Sequence, residues 1–214
     1  MFAISFWVDP IVPPAEYDYR YAEIAAANFT LVVGGYGATT RAEVAAQLAA
    51  CEKHGLKALP SLCANATCGR SHTKGVNGAP WVCPEPALRD GSAADLESPA
   101  LWGWKVTDEP SATSPGTPGS PAAQVRPGLN FSTLASFNAA LERRRPDKLR
   151  YVNLLQDYAA PGYWGVQTYE QYLQQYITTN KPQLLSFDHY PFFQADNKVA
   201  PDETVILLHP PFFL

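Results

Sequence analysis

Two adjacent carboxylates, Asp108 and Glu109, close an apolar, aromatic run that begins at Leu101, and Pro110 comes at once after them. Proline lacks an N–H and restricts the residue before it to extended geometry, so a strand through this run stops just after Glu109. Successive strand side chains point to opposite faces, so one acid faces a cleft while the other braces it. A carboxyl group that is buried or set beside another anion keeps its proton near neutral pH and can act as a general acid. Polar or aromatic residues close other apolar runs in the same way. Asp9 follows Trp7, Tyr36 follows a glycine pair, Asn153 precedes Asp157 and Tyr158, and Asp188-His189-Tyr190 runs into Pro191. Asp9, Glu109 and His189 are residue types suited to proton transfer. Trp7, Trp104, Tyr158, Trp164 and Tyr190 offer flat apolar faces against which C–H surfaces can stack.

The elements that would position these groups alternate along the chain. Apolar runs over residues 2–8, 29–33, 56–62, 101–109, 149–155 and 184–187 read as strands. Between them, residues 16–27, 40–54, 131–145 and 168–179 carry helical spacing, with an irregular segment from residue 63 to about 90. Thr40 with Glu43, and Thr168 with Gln171, are capping-box pairs, and Gly55 supplies a left-handed stop. In the last helix Tyr169, Tyr172, Leu173, Tyr176 and Ile177 are expected on the buried side. Strict alternation of strand and helix implies a parallel sheet with crossover helices. Gly34-Gly35-Tyr36-Gly37 lacks the spacing of a dinucleotide-binding fingerprint. A mouth fed by nearly every strand end also suits a doubly wound open sheet less than it suits a TIM (β/α)8-type barrel. About six βα units are accounted for, with parallel strands and outer helices. The barrel is therefore expected to be incomplete, truncated after the sixth strand, since an apolar run at residues 204–208 has no helix before it. Residues 1–214 read as a single domain, and the Pro/Gly/Ser-rich stretch at residues 111–128 reads as a surface loop within it.

Composition narrows the function classes. A net charge of −4 and the absence of basic clusters beyond Arg143-Arg144-Arg145 argue against a nucleic-acid surface. That triplet ends a helix, where cations favour the dipole, and reads as solvated. No run approaches the length of a membrane span. Cys51 lies in a helix, while Cys63, Cys68 and Cys83 share one loop without paired zinc-ligand spacing, so no metal or cofactor is expected. One disulfide among those three is open if the protein is exported. Met1 runs straight into a strand-like segment instead of a signal peptide, so the protein is either intracellular or read from an internal start, with an extracellular location open. The triplets starting at Asn28, Asn65 and Asn130 permit N-glycosylation.

Taken together, the run from Trp102-Gly103-Trp104 to Asp108-Glu109-Pro110, with Trp7-Val8-Asp9-Pro10 before it and Asp188-His189-Tyr190-Pro191 after it, resembles the (β/α)8 glycoside hydrolases of the large retaining clan that includes β-galactosidases and cellulases. The resemblance implies Glu109 as the acid/base at the end of the fourth strand. It also implies a carbohydrate substrate, with Trp7, Asp9, Trp104, Asp108, Asn153, Tyr158, Asp188, His189 and Tyr190 around it. Asp108 stands where the clan usually has asparagine, which leaves recognition of the sugar 2-hydroxyl open. The clan's nucleophile, a glutamate ending the seventh strand, has no matching position. Retention needs two carboxyl groups about 5–5.5 Å apart, and Asp188 is the weaker candidate for the second. Two other functions fit the same residues: a non-catalytic carbohydrate-binding barrel remnant, and an isomerase- or aldolase-like barrel using Asp9, Glu109 and His189. Lys105 lies mid-strand, which argues against Schiff-base chemistry.

Overall fold

In a computed structural model of the protein, the residues described are 3–7, 9–34, 37–61, 96–112, 130–159 and 161–189. Cys63, Cys68, Cys83, Tyr36, Tyr190, residues 113–129 and the apolar run at 204–208 lie outside them. A 3-10 turn at Pro14–Glu16 leads into α1 (Tyr17–Ala26), then β1 (Leu31–Val33), α2 (Arg41–Lys53), β2 (Lys57–Leu59) and β3 (Gly103–Asp108). After these come α3 (Phe131–Arg144), β4 (Leu149–Leu154), the short α4 (Pro161–Trp164), α5 (Tyr169–Asn180) and β5 (Ser186–Phe187).

Local chemistry sets most of these boundaries. Thr40 and Glu43 form both bonds of a capping box at the start of α2. At α5 the Thr168 hydroxyl accepts from the Gln171 amide, but the Gln171 side chain reaches one residue further back, to the Gln167 amide. Asn130 caps α3 by accepting from the Thr133 amide, a cap the sequence pattern did not mark. Gly55, with φ 71°, turns the chain out of α2, where a left-handed residue costs glycine nothing.

Every described strand pair is parallel, and each strand lies beside its predecessor in sequence. Two small sheets, β1-β2 and β3-β4-β5, are joined by bridges pairing Ala58 with Leu101 and Ser61 with Lys105. A doubly wound sheet reverses its strand order at a switch point; this order is consecutive throughout, as in an arc of a (β/α) barrel. The expected first strand is reduced, among the described residues, to one bridge between Trp7 and Val33. The Thr30 and Leu31 amides both converge on the Ile4 carbonyl, while the Ile4 amide is taken by the Thr30 hydroxyl. That side-chain bond replaces a rung of the ladder.

The two faces of the sheet are packed differently. Helices cover the outer face: Val32, Ala58, Leu101 and Trp104 pack with Tyr21, Val44 and Leu48, while Val152 and Leu154 pack with Phe131, Tyr172 and Tyr176. The inner face carries Leu31, Val33 and Leu59 with Trp102, Leu149 and Tyr151. In α5, Ile177 is exposed, contrary to expectation, and Asn180 is buried in its place, bonding the Asn138 side chain and the Phe131 carbonyl. Arg145 is not simply solvated either. It pairs with Glu97 at 3.1 Å and lies over the Trp104 ring.

Strand β3 breaks simple alternation twice. Between the two bridges to the β2 segment, two residues on one side oppose three on the other. Toward β4, Val106 is an extra residue between the Lys105–Tyr151 and Thr107–Val152 pairs. Each bulge shifts the pleat by one residue and flips the rest of the strand to the other face. Trp102 therefore faces inward and Trp104 outward, and Asp108 turns inward beside Asn153. Gly103 permits the crowding. A Cβ there would lie 2.1 Å from the Leu149 carbonyl oxygen.

Candidate functional site

The inner-face side chains at the ends of β3, β4 and β5 form one connected polar cluster. Asp108 pairs with Asn153, which pairs with Ser186, and Asp188 lies two residues beyond Ser186 on the same face. The Asn153 amide nitrogen donates to Asp108 Oδ1 at 3.1 Å and to Asp188 Oδ1 at 2.5 Å. Its oxygen accepts from the Ser186 hydroxyl at 3.0 Å. That uses the serine's one proton, so the Tyr151 hydroxyl, 3.0 Å from Ser186 Oγ, is the donor in their contact. The chain of donors thus runs Tyr151, Ser186, Asn153, and ends on two carboxylates. Burial raises the Tyr151 phenol pKa, and the charges of Asp108 and Asp188 add to the rise, which keeps Tyr151 in the protonated form its place requires.

Asn153 is only 3 % exposed, and both of its polar functions are engaged within the protein. It was expected to touch substrate; it holds two carboxylates together instead. Those carboxylates are half-buried.

Glu109 sits on the turn beyond Asp108. Its amide donates to the Asn153 carbonyl at 2.7 Å, and its backbone is left-handed, with φ 46°. A left-handed glutamate has left the pleat, so strict alternation no longer assigns its side chain to a face. Pro110 is buried behind it, and the Pro110 carbonyl accepts the Tyr172 hydroxyl at 2.6 Å. Burial pushes the Tyr172 phenol pKa up, and the nearby Glu109 charge adds to that.

Two more side chains expected around the ligand, Asp9 and Trp104, are sealed within the fold. Asp9 is 1 % exposed, and its two oxygens accept from the Gly37 and Ala38 amides and from Gln47 Nε2, at 2.8–3.0 Å. It ties down the turn before α2 and offers no open carboxylate for a sugar or for proton transfer. Trp104 is fully buried beneath α3, with Leu141 and Phe137 in the same cluster, so it presents no face to a ligand. Truncating such a side chain costs about 3–5 kcal/mol of stability. Trp7 is 43 % exposed, with the Lys105 ammonium 3.7 Å from its ring centre, and Lys105 itself is nearly buried on the inner face. Tyr158 and His189 meet edge to face at 6.5 Å beyond the end of β4. Trp164 is buried and donates to the Gln156 carbonyl.

Tyr151 and Ser186 in the cluster, and Tyr172 behind Pro110, are the residues that sequence reasoning passed over. The first two had a legible signal, since each sits two residues before a singled-out strand-end residue and so shares its face. Tyr172 had none. Among the described residues, no group of three or more His, Cys, Asp or Glu side chains is placed to hold a metal ion, and no helix is long and apolar enough to cross a membrane.

The fold and the site together define an α/β protein of consecutive parallel strands with a polar cluster at their C-terminal ends, consistent with part of a (β/α) barrel. No protein-family model and no curated protein matches the chain. Among solved structures it is similar to an endo-1,4-β-mannanase from Rhizomucor miehei, a barrel glycoside hydrolase, with a TM-score of 0.51 and 9 % identity. The match covers 88 % of this chain and 66 % of the mannanase chain, so the protein spans just under two thirds of that neighbour's length. At that identity the likeness is one of fold.

Proposed function

We propose that the protein is a glycoside hydrolase-like barrel in which Glu109 is the general acid/base for cleavage of an O-glycosidic bond in an oligo- or polysaccharide. The observation that carries this is the placement of Glu109, on a turn bonded to Asn153 on one side and to Tyr172 on the other, beside the cluster of Asp108, Asn153 and Asp188. The fold likeness to a mannanase lends support to a carbohydrate substrate.

In this mechanism the Glu109 carboxyl gives its proton to the leaving glycosidic oxygen and takes one back from the incoming water. Asp108 and Asp188 each spend one oxygen on Asn153 and accept sugar hydroxyl protons with the other. Asp108 is an acceptor where an asparagine would also donate, which favours ligands that present hydroxyl donors there. Trp7, Tyr158 and His189 flank the same end of the sheet and supply stacking faces and a hydroxyl partner. Tyr190, next to His189 in sequence, is proposed to act with it.

The test is a panel of aryl glycosides hydrolysed by the wild type and by Glu109→Gln. Loss of about 10²- to 10⁴-fold for leaving groups that need protonation is the expected result, because general acid catalysis is worth that much. Equal rates from both proteins would remove Glu109 from catalysis. Binding of oligosaccharides by calorimetry without turnover of any glycoside would instead favour the non-catalytic, carbohydrate-binding alternative.

A further inference from the structure

We propose that Tyr172, on a helix outside the cluster, is a positioning residue that fixes the direction of the Glu109 side chain by holding the backbone of its turn. The inference rests on the acid/base role of Glu109.

Three observations carry it. Glu109 has a left-handed backbone, a conformation that a side chain with a Cβ does not hold unaided. Proline has no N–H, so the carbonyl is the only backbone hydrogen-bonding group Pro110 has, and the Tyr172 hydroxyl takes it at 2.6 Å. The same hydroxyl oxygen accepts from the Leu155 amide, just past the end of β4, at 3.3 Å. One oxygen therefore cross-links the exits of β3 and β4, 62 residues from the first and 17 from the second. On the other side the Glu109 amide is bonded to Asn153 in β4. The turn is thus held to β4 at both ends.

The Tyr172 ring is in no position to follow a moving turn. It is buried, 5.0 Å from the Phe131 ring centre and 5.8 Å from that of Tyr169, and Tyr169 in turn donates to the Leu155 carbonyl. The oxygen is fixed by packing, so the carbonyl it binds is fixed as well. Removing the oxygen leaves shape and packing intact but frees the strained turn to rotate toward water.

Leaving-group dependence separates positioning from a general structural role. A phenyl glycoside needs the acid, whereas a 2,4-dinitrophenyl glycoside departs with little help. In Tyr172→Phe, kcat/KM for the phenyl substrate, which reports the bond-cleavage step, should fall about ten- to a hundredfold. For the dinitrophenyl substrate kcat/KM should change far less. Glu109→Gln should show the same selectivity with a larger loss.

If Glu109→Gln discriminates between the substrates and Tyr172→Phe lowers both equally, the positioning role is overturned and Glu109 stands. If the wild type turns over neither substrate, or Glu109→Gln does not discriminate, the acid/base role fails. Tyr172 is then judged by hydrogen exchange. Faster exchange at the Glu109 amide, with the Val33 amide unchanged, supports the tether, and unchanged exchange at Glu109 overturns it. Should Tyr172→Phe fail to fold, 3-fluorotyrosine at position 172 keeps the ring and makes the hydroxyl a stronger donor to the Pro110 carbonyl; a change in kcat/KM confined to the phenyl substrate supports the tether, and an equal change for both substrates, or none, overturns it.

Discussion

Asp9 and Asp108 are both aspartates at the C-terminal end of an inner-face segment, yet they are opposites. Asp9 is sealed: two backbone amides and a glutamine consume its oxygens, and the loop it closes is so tight that a Cβ on Gly37 would lie 1.9 Å from the Pro10 carbonyl oxygen. Asp108 shares a single amide nitrogen with Asp188 and is half-buried. The first is a clamp and the second is an opening. What separates them is the number of lone pairs the protein leaves unused, a quantity that residue type and strand position do not reveal.

The contrast is most easily broken by truncation. Asp9→Ala leaves two amides and Gln47 without their acceptor in a dry site, and should cost about 3 kcal/mol of stability or more. Asp108→Ala gives up one half-buried bond and should cost about 1 kcal/mol or less. Urea denaturation of both variants measures the gap, and equal losses would mean the two carboxylates do the same job.

A smaller effect is expected from Asn153→Asp. It sets a third carboxylate between two, should cost about 2 kcal/mol at neutral pH, and raises the pKa of the group that is last to ionise. A raised folded-state pKa favours the native state at low pH, and the benefit is lost as pH rises through that pKa. The deficit should therefore shrink on acidification toward pH about 4. A pH-independent deficit would show that Asp108 and Asp188 do not sense position 153.

The smallest effect sharpens the comparison at alkaline pH. Tyr21 belongs to the sealed network through Gln47, and Tyr151 to the open one through Ser186. Burial raises both phenols, Tyr21 much the further. The stability that each neutral phenol contributes is complete below the unfolded value of about 10 and is lost as pH climbs through the folded one. Denaturation midpoints between pH 9 and 11 should fall for the wild type, fall less for Tyr151→Phe and least for Tyr21→Phe. The reverse order for the two variants would contradict the assignment of the sealed and open sides.

Short-range chemistry was readable from the residues. The Thr40–Glu43 box, the Gly55 stop and the alternation of strands with helices concern neighbours within a few positions, where spacing alone fixes geometry. The site was readable as a set of strand ends and not as an arrangement. Alternation would place Trp104 and Asp108 on one face; the bulge at Val106 separates them, and Gly103 was the lone hint of the crowding that goes with it. The fates of Asp9 and Glu109 depend on partners 28 to 62 residues away, Gly37 for one and, by way of Pro110, Tyr172 for the other. No local pattern encodes those distances.

Because every described strand pairs with the one made just before it, the sheet needs no later segment to be threaded between earlier ones. Such an order suits assembly during synthesis, each strand-and-helix unit docking as it leaves the ribosome. The carboxylate cluster, drawn from β3, β4 and β5, then forms only when the third of those strands arrives.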